Sequence, residues 1–437
     1  MTTRSTLLHA LLLGGSLCHA SIGLAQTTEA PFVVGVCAHE LHKGDPSGRA
    51  FAIMRDAGIT SVRTDAHWAY VERQPGQLKI EPHWRRYLKD TADHGLSTQF
   101  ILGYGNPHYG GGEKPRSEPV RAAYNRYVEF MADALKGQVA YYEIWNEWDV
   151  EDPRDPKFTQ DYARLIADAS GIIRQRAPNA KVLAGAVTSQ GIESGFALRL
   201  LENGLMQSVD GLTLHPYVHC RGWRRNTPEA WIDWMTEVDK TLTRAAGRPV
   251  PLYLTEMSWP SHQGACGIDE NLQAAYLARA YFLAKTLPSI KGMWWYDFRN
   301  DGTDKTEREH NFGLVRQDFS IKPAYPVLAA ISGIVRDYSF VSRDESAPDD
   351  VMMLRFVRDD DELTVAWSTG KPRAVELRSS ADNSGRVAMI DTAQPQHGRV
   401  TTTARWTCTT RDSGCNTTVK LDGFPKIISM RAVRDEG

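Results

Sequence analysis

The chain shows two patterns of apolar and polar positions, which change over near residue 336. Before that point, short apolar runs alternate with longer segments whose apolar residues recur at i, i+4 and i+7, the spacing of one helix face. After it, short β-type runs follow one another, separated by Asp, Gly, Ser and Pro. The first pattern is typical of alternating strands and helices, and the second of an antiparallel sheet.

Eight runs in the first region have the composition of buried strands. They are Phe32–Ala38, Ser61–Asp65, Thr98–Leu102, Ala140–Trp145, Lys181–Ala186, Gly211–His215, Leu252–Thr255 and Gly292–Tyr296. Eight strand–helix units over about 300 residues predict a (β/α)8 TIM barrel. The competing fold, an open doubly wound sheet, normally has a Gly-rich turn after its first strand, and Gly35-Val36-Cys37-Ala38 does not supply one.

The second region predicts a small C-terminal antiparallel β-sandwich. Its runs are Met352–Val357, Glu362–Trp367, Ala374–Leu377, Val387–Ile390 and Ile427–Arg431. Lys322-Pro323-Ala324-Tyr325 is expected to begin the last barrel helix, and Val335–Ser342 to link the two parts. The expected organisation is a signal peptide over residues 1–25, a catalytic barrel over 26–335 and a β-sandwich domain over 336–437.

The amino terminus has the pattern of a secretory signal peptide. Arg4 precedes an apolar run, Leu7–Leu17, and small residues lead to a cleavage point after Ala20 or Ala25. The run is too short for a transmembrane helix. We therefore expect an exported protein, periplasmic or extracellular.

In an oxidising compartment outside the cytoplasm, cysteines are expected to form disulfide bonds. Cys220 with Cys266, and Cys408 with Cys415, are predicted to form disulfide bonds. Cys37 lies inside an apolar strand and is expected to be an inert buried thiol.

Composition excludes several classes of partner. A formal net charge of −2 over 437 residues gives no electrostatic argument for binding nucleic acid or anionic lipid. The histidines and cysteines do not have zinc spacing, so neither a metal nor a cofactor is expected. Twelve tryptophans, several at predicted strand ends, fit either core packing or flat platforms for sugar rings. The oligomeric state stays open.

Two predicted strands end in a glutamate among aromatic residues. The fourth reads Trp145-Asn146-Glu147-Trp148, and the seventh reads Thr255-Glu256 followed by Trp259. The fourth and seventh strands of a barrel stand across its mouth, where the active sites of such barrels lie. Two facing carboxylates can cleave a glycosidic bond, at about 5–5.5 Å apart with retention and about 6.5–9.5 Å with inversion.

The environments of these glutamates are predicted to differ. Tyr217 and Arg63 are placed to keep Glu256 ionised, by a hydrogen bond and a charge. Two alternatives stay open: Arg63 as a structural ion-pair partner, and His215 as an ordinary rim histidine.

Glu147 is expected to lie among the rings of Trp145, Trp148 and Trp295, which would desolvate it and favour its protonated form. Its neighbour Asn146 is suited to binding a sugar 2-hydroxyl. Glu143, two residues from the end of the same strand, is expected to point outward.

These motifs resemble glycoside hydrolase clan A. Trp145-Asn146-Glu147 and Thr255-Glu256 are similar to its two catalytic motifs, and Arg63, His215-Pro216-Tyr217 and Trp294-Trp295-Tyr296-Asp297 to its supporting set. Phe312-Gly313-Leu314-Val315 and Lys322-Pro323-Ala324-Tyr325 resemble the closing segment of family 39 and its relatives, which include β-xylosidases and Psl-type periplasmic exopolysaccharide endoglycosidases.

The resemblance implies Glu147 as acid/base, Glu256 as nucleophile, Asn146 at the 2-hydroxyl and Trp295 as a sugar platform. The predicted substrate-binding residues are Asn146, Arg63, His39, Tyr104, His215, Tyr217, Trp295, Trp148 and Arg299.

The leading hypothesis is a retaining glycoside hydrolase that cleaves β-linkages in a polysaccharide or oligosaccharide substrate. An endo-acting enzyme on a bacterial exopolysaccharide, peripherally associated with an export system, is favoured by the export signal and the loop aromatics. Two alternatives remain: an exo-acting β-xylosidase-type enzyme, and a non-catalytic periplasmic polysaccharide-binding protein.

Overall fold

A computed structural model describes residues 30–45, 48–222, 225–379, 385–393, 401–406 and 415–432. The predicted signal peptide and the predicted Cys408–Cys415 bond lie outside the described residues. From Phe32 onward the chain forms one compact unit. Among the described residues, every helix is too short or too polar to cross a membrane.

Eight parallel strands close into a barrel, as predicted. They are β1 Val33–Cys37, β2 Ser61–His67, β3 Ser97–Gly103, β4 Tyr141–Ile144, β5 Lys181–Thr188, β6 Gly211–His215, β7 Leu252–Met257 and β8 Ile290–Trp295. Each strand pairs with the next, and β8 pairs with β1 through registers such as Val36 opposite Trp295. All eight carboxyl ends therefore open at one mouth.

Helices connect the strands on the outside of the barrel. Their bounds are α1 Glu40–Lys43, α2 Ala50–Asp56, α3 Trp68–Val71, α4 Pro82–Asp93, α5 Glu118–Ala134, α6 Pro156–Arg176, α7 Ser189–Glu193, α8 Phe196–Glu202, α9 Leu205–Ser208, α10 Pro228–Ala246, α11 Glu270–Ala284 and α12 Ala324–Asp337. Local sequence sets several starts. Thr227 caps α10 at the backbone N–H of Ala230, and Pro228 occupies the first turn, where its missing N–H costs nothing.

The lower part of the barrel interior is filled by side chains rather than being open. Leu183, Tyr253 and Trp294 pack there against Cys37. A Cβ on Gly35 would meet the Trp294 ring at 2.4 Å, so a glycine is required at this point of β1. The prediction that Cys37 is a buried thiol is confirmed.

Antiparallel sheets follow the barrel. The strands are β9 Ser339–Arg343, β10 Val351–Arg358, β11 Asp361–Ser368, β12 Arg373–Ser379, β13 Gly385–Asp391, β14 Thr401–Trp406, β15 Cys415–Leu421 and β16 Lys426–Ala432. Six form one sheet in the order β14-β13-β16-β11-β10-β9, and β12 pairs with β15. The sequence did not predict β9, β14 or β15, and it placed β9 in the link.

These sheets pack on the barrel helices. Trp367 donates from its indole N–H to Glu229 of α10 at 2.8 Å, and Arg279 of α11 donates to the carbonyl of Gly423 at 2.8 Å. The division into domains at residue 336 stays a prediction.

Candidate active site

A cavity of about 710 Å³ opens at the carboxyl ends of the barrel strands. Eight of the eleven predicted site residues line it: His39, Arg63, Tyr104, Asn146, Glu147, His215, Tyr217 and Glu256. They come from six strand ends spread along the chain, so the barrel closure brings them together. The structure places the other three, Trp148, Trp295 and Arg299, elsewhere.

Glu147 reaches the cavity through a sharp turn after β4. The backbone takes left-handed conformations at Trp145, with φ 65°, and at Glu147, with φ 47°. Such conformations are unfavourable for residues with a Cβ and persist where the surroundings hold them. The Trp145 ring is buried and packs edge-on against Trp148 at 5.4 Å, which holds the turn.

Glu256 is a buried carboxylate surrounded by donors. Arg63 donates to its Oε1 at 2.7 Å, and the Tyr217 hydroxyl donates to its Oε2 at 3.0 Å. Burial alone would raise the pKa of Glu256, but the charges of His215 and Arg63 and the hydrogen bonds from Arg63 and Tyr217 lower it below the ordinary value. Both contacts predicted to keep Glu256 ionised are present.

The two glutamates face each other at short range. One carboxylate oxygen of Glu147, one of Glu256 and a ring nitrogen of His215 lie within 4.8 Å of one another. This short range fits the closer spacing of a retaining pair better than the wider spacing of an inverting pair.

His215 lies between the glutamates at the end of β6. Its Nδ1 is 2.9 Å from Oε1 of Glu147 and 3.7 Å from Oε2 of Glu256. Burial lowers the pKa of His215, but the charge of Glu256 and the hydrogen bond to Glu147 raise it more, so the net shift is upward. His215 is therefore a buried partner of both carboxylates rather than a rim histidine.

Arg63 lies inside the barrel and contacts a residue that follows β4 as well as Glu256 of β7. Besides Glu256 it donates to Oδ1 of Asn146 at 2.8 Å. Because Arg63 can only donate, the amide oxygen of Asn146 must face it, and the amide NH₂ is left to face the cavity. The sequence predicted Asn146 to bind a sugar 2-hydroxyl, and its NH₂ is the group left for such a contact.

The expectation that Glu143 points outward is wrong. Its carboxylate lies inside the barrel, fully buried, where it accepts hydrogen bonds from Arg63 at 2.6 Å, Gln99 at 3.0 Å and Thr255 at 2.9 Å. Strand alternation turns every second residue of β4 inward, and the cation of Arg63 makes that position acceptable to a carboxylate.

The predicted tryptophan walls around Glu147 are also wrong. Trp148 is buried between the barrel and α6, stacked on Tyr162 at 4.8 Å, because the turn at Glu147 directs it away from the cavity. Trp295 alternates with the inward Trp294 and so packs outward near Trp259. Glu147 instead keeps 31 % of its side chain exposed beside His215.

Arg299 does not line the cavity. Its Nε lies 3.1 Å from Oε1 of Glu40, its guanidinium donates to the carbonyl of Gly44 and packs over Phe319 at 4.7 Å. It thus stabilises the segment after β1 rather than contacting a substrate.

The aromatic walls come from residues that the sequence analysis named within motifs but did not predict to bind substrate. Tyr296 and Phe312 line the cavity, with ring centroids 5.4 Å apart. Tyr296 follows the inward Trp294 by two positions, so the alternation of β8 could have identified it. Phe312 comes from a later loop and had no such signal.

A second group missed by the sequence extends the cavity past β6. His219 and Arg221 line this side together with Arg308 and Glu309. Burial lowers the pKa of His219 to about 4, with the charge of Arg308 next in effect. The predicted disulfide bond between Cys220 and Cys266 is present here and ties the loop after β6 to the loop after β7.

Two groups among the described residues bring three potential metal-ligand atoms within 4.8 Å of one another. In the first, Glu147, His215 and Glu256 already engage one another. The second comprises His39, Asp297 and Asp301, and the ammonium of Lys43 contacts Asp301. The expectation of a metal-free, cofactor-free protein stays a prediction.

Comparisons with known proteins give one kind of match. No family model and no curated protein matches the chain. A solved family 39 glycoside hydrolase from Bacteroides cellulosilyticus WH2 is 24% identical, with a TM-score of 0.75 over 92% of this chain and 81% of that one. A monomeric β-xylosidase from Caulobacter crescentus CB15 is 15% identical, with a TM-score of 0.61 over 93% and 98%.

A GH30 endoxylanase from Clostridium papyrosolvens C71 is 14% identical, with a TM-score of 0.58 over 92% of this chain and 97% of that one. At these identities the likeness establishes the fold. It confirms the expected structural resemblance to family 39, and the resemblance to Psl-type enzymes stays a prediction.

Proposed function

We propose that this protein is a retaining glycoside hydrolase that cleaves β-linkages in a polysaccharide. The observation that carries the proposal is the close pair of Glu147 and Glu256, whose facing oxygens lie within 4.8 Å. That distance suits attack by one carboxylate on the anomeric carbon while the other protonates the leaving oxygen. The related folds of known glycosidases support the proposal.

The surroundings assign the two roles. Glu256, which Arg63 and Tyr217 keep ionised and whose side chain is 12 % exposed, is the nucleophile that forms the glycosyl–enzyme bond. Glu147, partly exposed and bonded to His215, can both donate a proton to the leaving oxygen and later take one from water. The bond broken is the glycosidic C–O bond, and the proton on Glu147 goes to the departing alcohol.

Several cavity residues are suited to holding the sugar. The amide NH₂ of Asn146 is directed to the 2-hydroxyl, a contact that strengthens as charge develops at the anomeric carbon. Tyr296 and Phe312 offer aromatic faces, and His39 and Tyr104 offer polar atoms. The sugar platform role expected of Trp295 passes to Tyr296 in this proposal.

The finer proposal is an exported, endo-acting enzyme on a bacterial exopolysaccharide. Its support is the signal-peptide pattern and a cavity that continues past the glutamates to Arg221, Arg308 and Glu309, giving space for more than one sugar. The exo-acting alternative draws support from the similar fold of a β-xylosidase. Products separate the two: an endo-acting enzyme releases oligosaccharides from the start, and an exo-acting one releases monosaccharides.

Hydrolysis of a panel of β-linked polysaccharides and aryl β-glycosides tests the activity. Glu147→Gln and Glu256→Gln should each lower kcat by about 10³-fold or more on any accepted substrate, since each removes one half of the chemistry. Glu151→Gln is the matched control, because Glu151 follows in the same loop but is exposed and bonded to Lys114. Hydrolysis that persists in both variants would overturn the assignment.

The stereochemical course is a separate test. ¹H NMR of the first product formed should show the β-anomer, before mutarotation mixes the two. An α-anomer as the first product would exclude the retaining mechanism. Binding of polysaccharide without any hydrolysis would instead favour a non-catalytic binding protein.

A further inference from the structure

We infer that Glu143 is a positioning residue, which acts through Thr255 to keep a proton on Nε2 of His215, so that only Nδ1 exchanges a proton with Glu147. The inference rests on the proposed function where it concerns the reaction. The proton arrangement itself follows from the contacts of the buried side chains.

All polar contacts of Glu143 are made by donors. Oε2 accepts from Nε of Arg63 at 2.6 Å and from Nε2 of Gln99 at 3.0 Å, and Oε1 accepts from the hydroxyl of Thr255 at 2.9 Å. The side chain is fully buried, so water does not compete for these oxygens. Such a set of donors suits a carboxylate, which can only accept.

The Thr255 hydroxyl can therefore donate its hydrogen bond in only one direction, toward Glu143. Its single proton is given to Glu143, and its oxygen then accepts from the other neighbour within reach, Nε2 of His215 at 3.1 Å. A hydroxyl can accept one hydrogen bond while it donates another. Because Thr255 is fully buried, solvent water cannot replace His215 as the donor to its oxygen. Nε2 of His215 must therefore carry a proton.

Among the residues that the structure describes, Arg63 makes the one competing contact with that nitrogen. Its Nη2 lies 3.4 Å from Nε2 of His215, but the same atom donates to Oδ1 of Asn146 at 2.8 Å. Nη2 carries two protons, and the shorter contact, to an oxygen, uses one of them. The longer one is at the limit of a hydrogen bond and does not require Nε2 to accept.

Nδ1 is left as the nitrogen that titrates. It faces Glu147 at 2.9 Å and Glu256 at 3.7 Å, while Arg63 and Tyr217 face Glu256 from its other sides. When His215 is neutral, Nδ1 can accept the acid proton of Glu147. When His215 is charged, Nδ1 donates to the carboxylate, so one proton is held between the two residues.

This arrangement matters for an acid/base residue. Accepting from Glu147 stabilises its protonated form, which the first step consumes. The opposite tautomer, with the proton on Nδ1, would donate to Glu147 and stabilise the carboxylate. Glu143 is not among the residues that line the cavity, so it acts on the reaction through its partners. One path runs through Thr255 and His215 and the other through Arg63, and Thr255→Val breaks the first path while leaving the second in place.

Glu143→Gln reverses the arrangement by geometry. Arg63 and Gln99 both donate to the Oε2 position, so the amide oxygen must stay there, and the NH₂ group falls opposite Thr255. Thr255 then accepts from Gln and donates to Nε2 of His215. The proton of neutral His215 moves to Nδ1.

¹⁵N NMR of the His215 ring over a pH series measures this directly, with His215→Gln used to assign the signals. In the wild type, Nδ1 should change on titration while Nε2 stays protonated. In Glu143→Gln and in Thr255→Val, Nε2 should be the nitrogen that changes, and Thr255→Ser should restore the wild-type behaviour. Titration at Nε2 in the wild type would overturn the inference.

Steady-state kinetics give the second readout. Glu143→Gln and Thr255→Val should lower kcat by about tenfold to hundredfold with little change in KM, and move the alkaline limb of the profile to lower pH. Gln99→Met is the matched control: it removes a buried contact to Oε2 but leaves Thr255 on Oε1, so its profile should match the wild type.

An unshifted profile in Thr255→Val would also overturn the inference. A protein without hydrolytic activity would remove the proposed function, whereas the NMR result would still decide which nitrogen of His215 titrates.

Discussion

The Tyr217 hydroxyl donates a 3.0 Å hydrogen bond to Oε2 of Glu256, the oxygen opposite the one that Arg63 holds. Both oxygens of the buried carboxylate are thus paired with donors before a substrate enters. Burial raises the pKa of Tyr217 well above its usual range, so the phenol keeps the proton it donates. Glu256 therefore remains an anion although it is largely buried. It must carry this charge to act as a nucleophile.

Tyr217→Phe should weaken this arrangement without emptying the site. Loss of a hydrogen bond to a charged group removes about 1.5–3 kcal/mol. We therefore expect kcat/KM to fall about tenfold to hundredfold, and its acid limb to move to higher pH, because the pKa of Glu256 rises. Tyr325→Phe is the control, since Tyr325 loses one hydrogen bond to Ile53, far from the cavity. An acid limb that does not move would contradict the role given to Tyr217.

Glu256 should also make stability depend on pH. Its pKa in the folded protein is below the ordinary value of 4.5, so the stability it contributes is present above about pH 4.5 and lost as pH falls. The free energy of unfolding of the wild type should fall relative to Glu256→Gln as pH drops below that value. Urea unfolding of both proteins across this range measures the difference. A constant difference would mean that the folded and unfolded pKa values are equal.

Glu40 should show the opposite dependence. Burial raises the pKa of Glu40 to about 7, and the charge of Arg299 only partly opposes this. The folded protein prefers the protonated form of Glu40. The stability that Glu40 contributes is therefore present below about pH 4.5 and is lost as pH rises toward 7.

Glu40→Gln keeps the neutral form at every pH. Relative to the wild type it should gain up to about 3 kcal/mol as pH rises through this window. The same urea series at pH 4 to 8 measures it, and parallel curves for the two proteins would show that burial does not perturb Glu40.

The barrel could be predicted because its strands are buried on both faces. Each parallel strand then reads as a continuous apolar run, and β6, Gly211–His215, was located to the residue. The later strands β14, Thr401–Trp406, and β15, Cys415–Leu421, are rich in Thr and polar residues. They lack a continuous apolar run, and for this reason the sequence did not show them.

The side-chain directions at the strand ends could not be predicted in the same way. Alternation holds along a strand but is lost once the backbone turns, and the left-handed conformation of Glu147 directs Trp148 away from the cavity. Alternation assigns Glu143 to one face of β4, but the local sequence does not show that this face lies inside the barrel. Its acceptance inside the barrel depends on Arg63, which lies 80 residues away in sequence and meets it only when the barrel closes.

The disulfide bond between Cys220 and Cys266 should matter for both stability and binding. It closes a segment with a sequence separation of 46 and lies next to Arg221, which lines the cavity. Removing a bond that closes such a loop costs about 3–4 kcal/mol in the free energy of unfolding.

Cys220→Ala with Cys266→Ala should therefore lower Tm and raise KM, while kcat stays near wild type because Glu147 and Glu256 are held by β4 and β7. Calorimetry and kinetics of the double variant and the wild type measure these effects. An unchanged Tm, or a fall in kcat with KM unchanged, would show that the bond does not hold the substrate-binding loops.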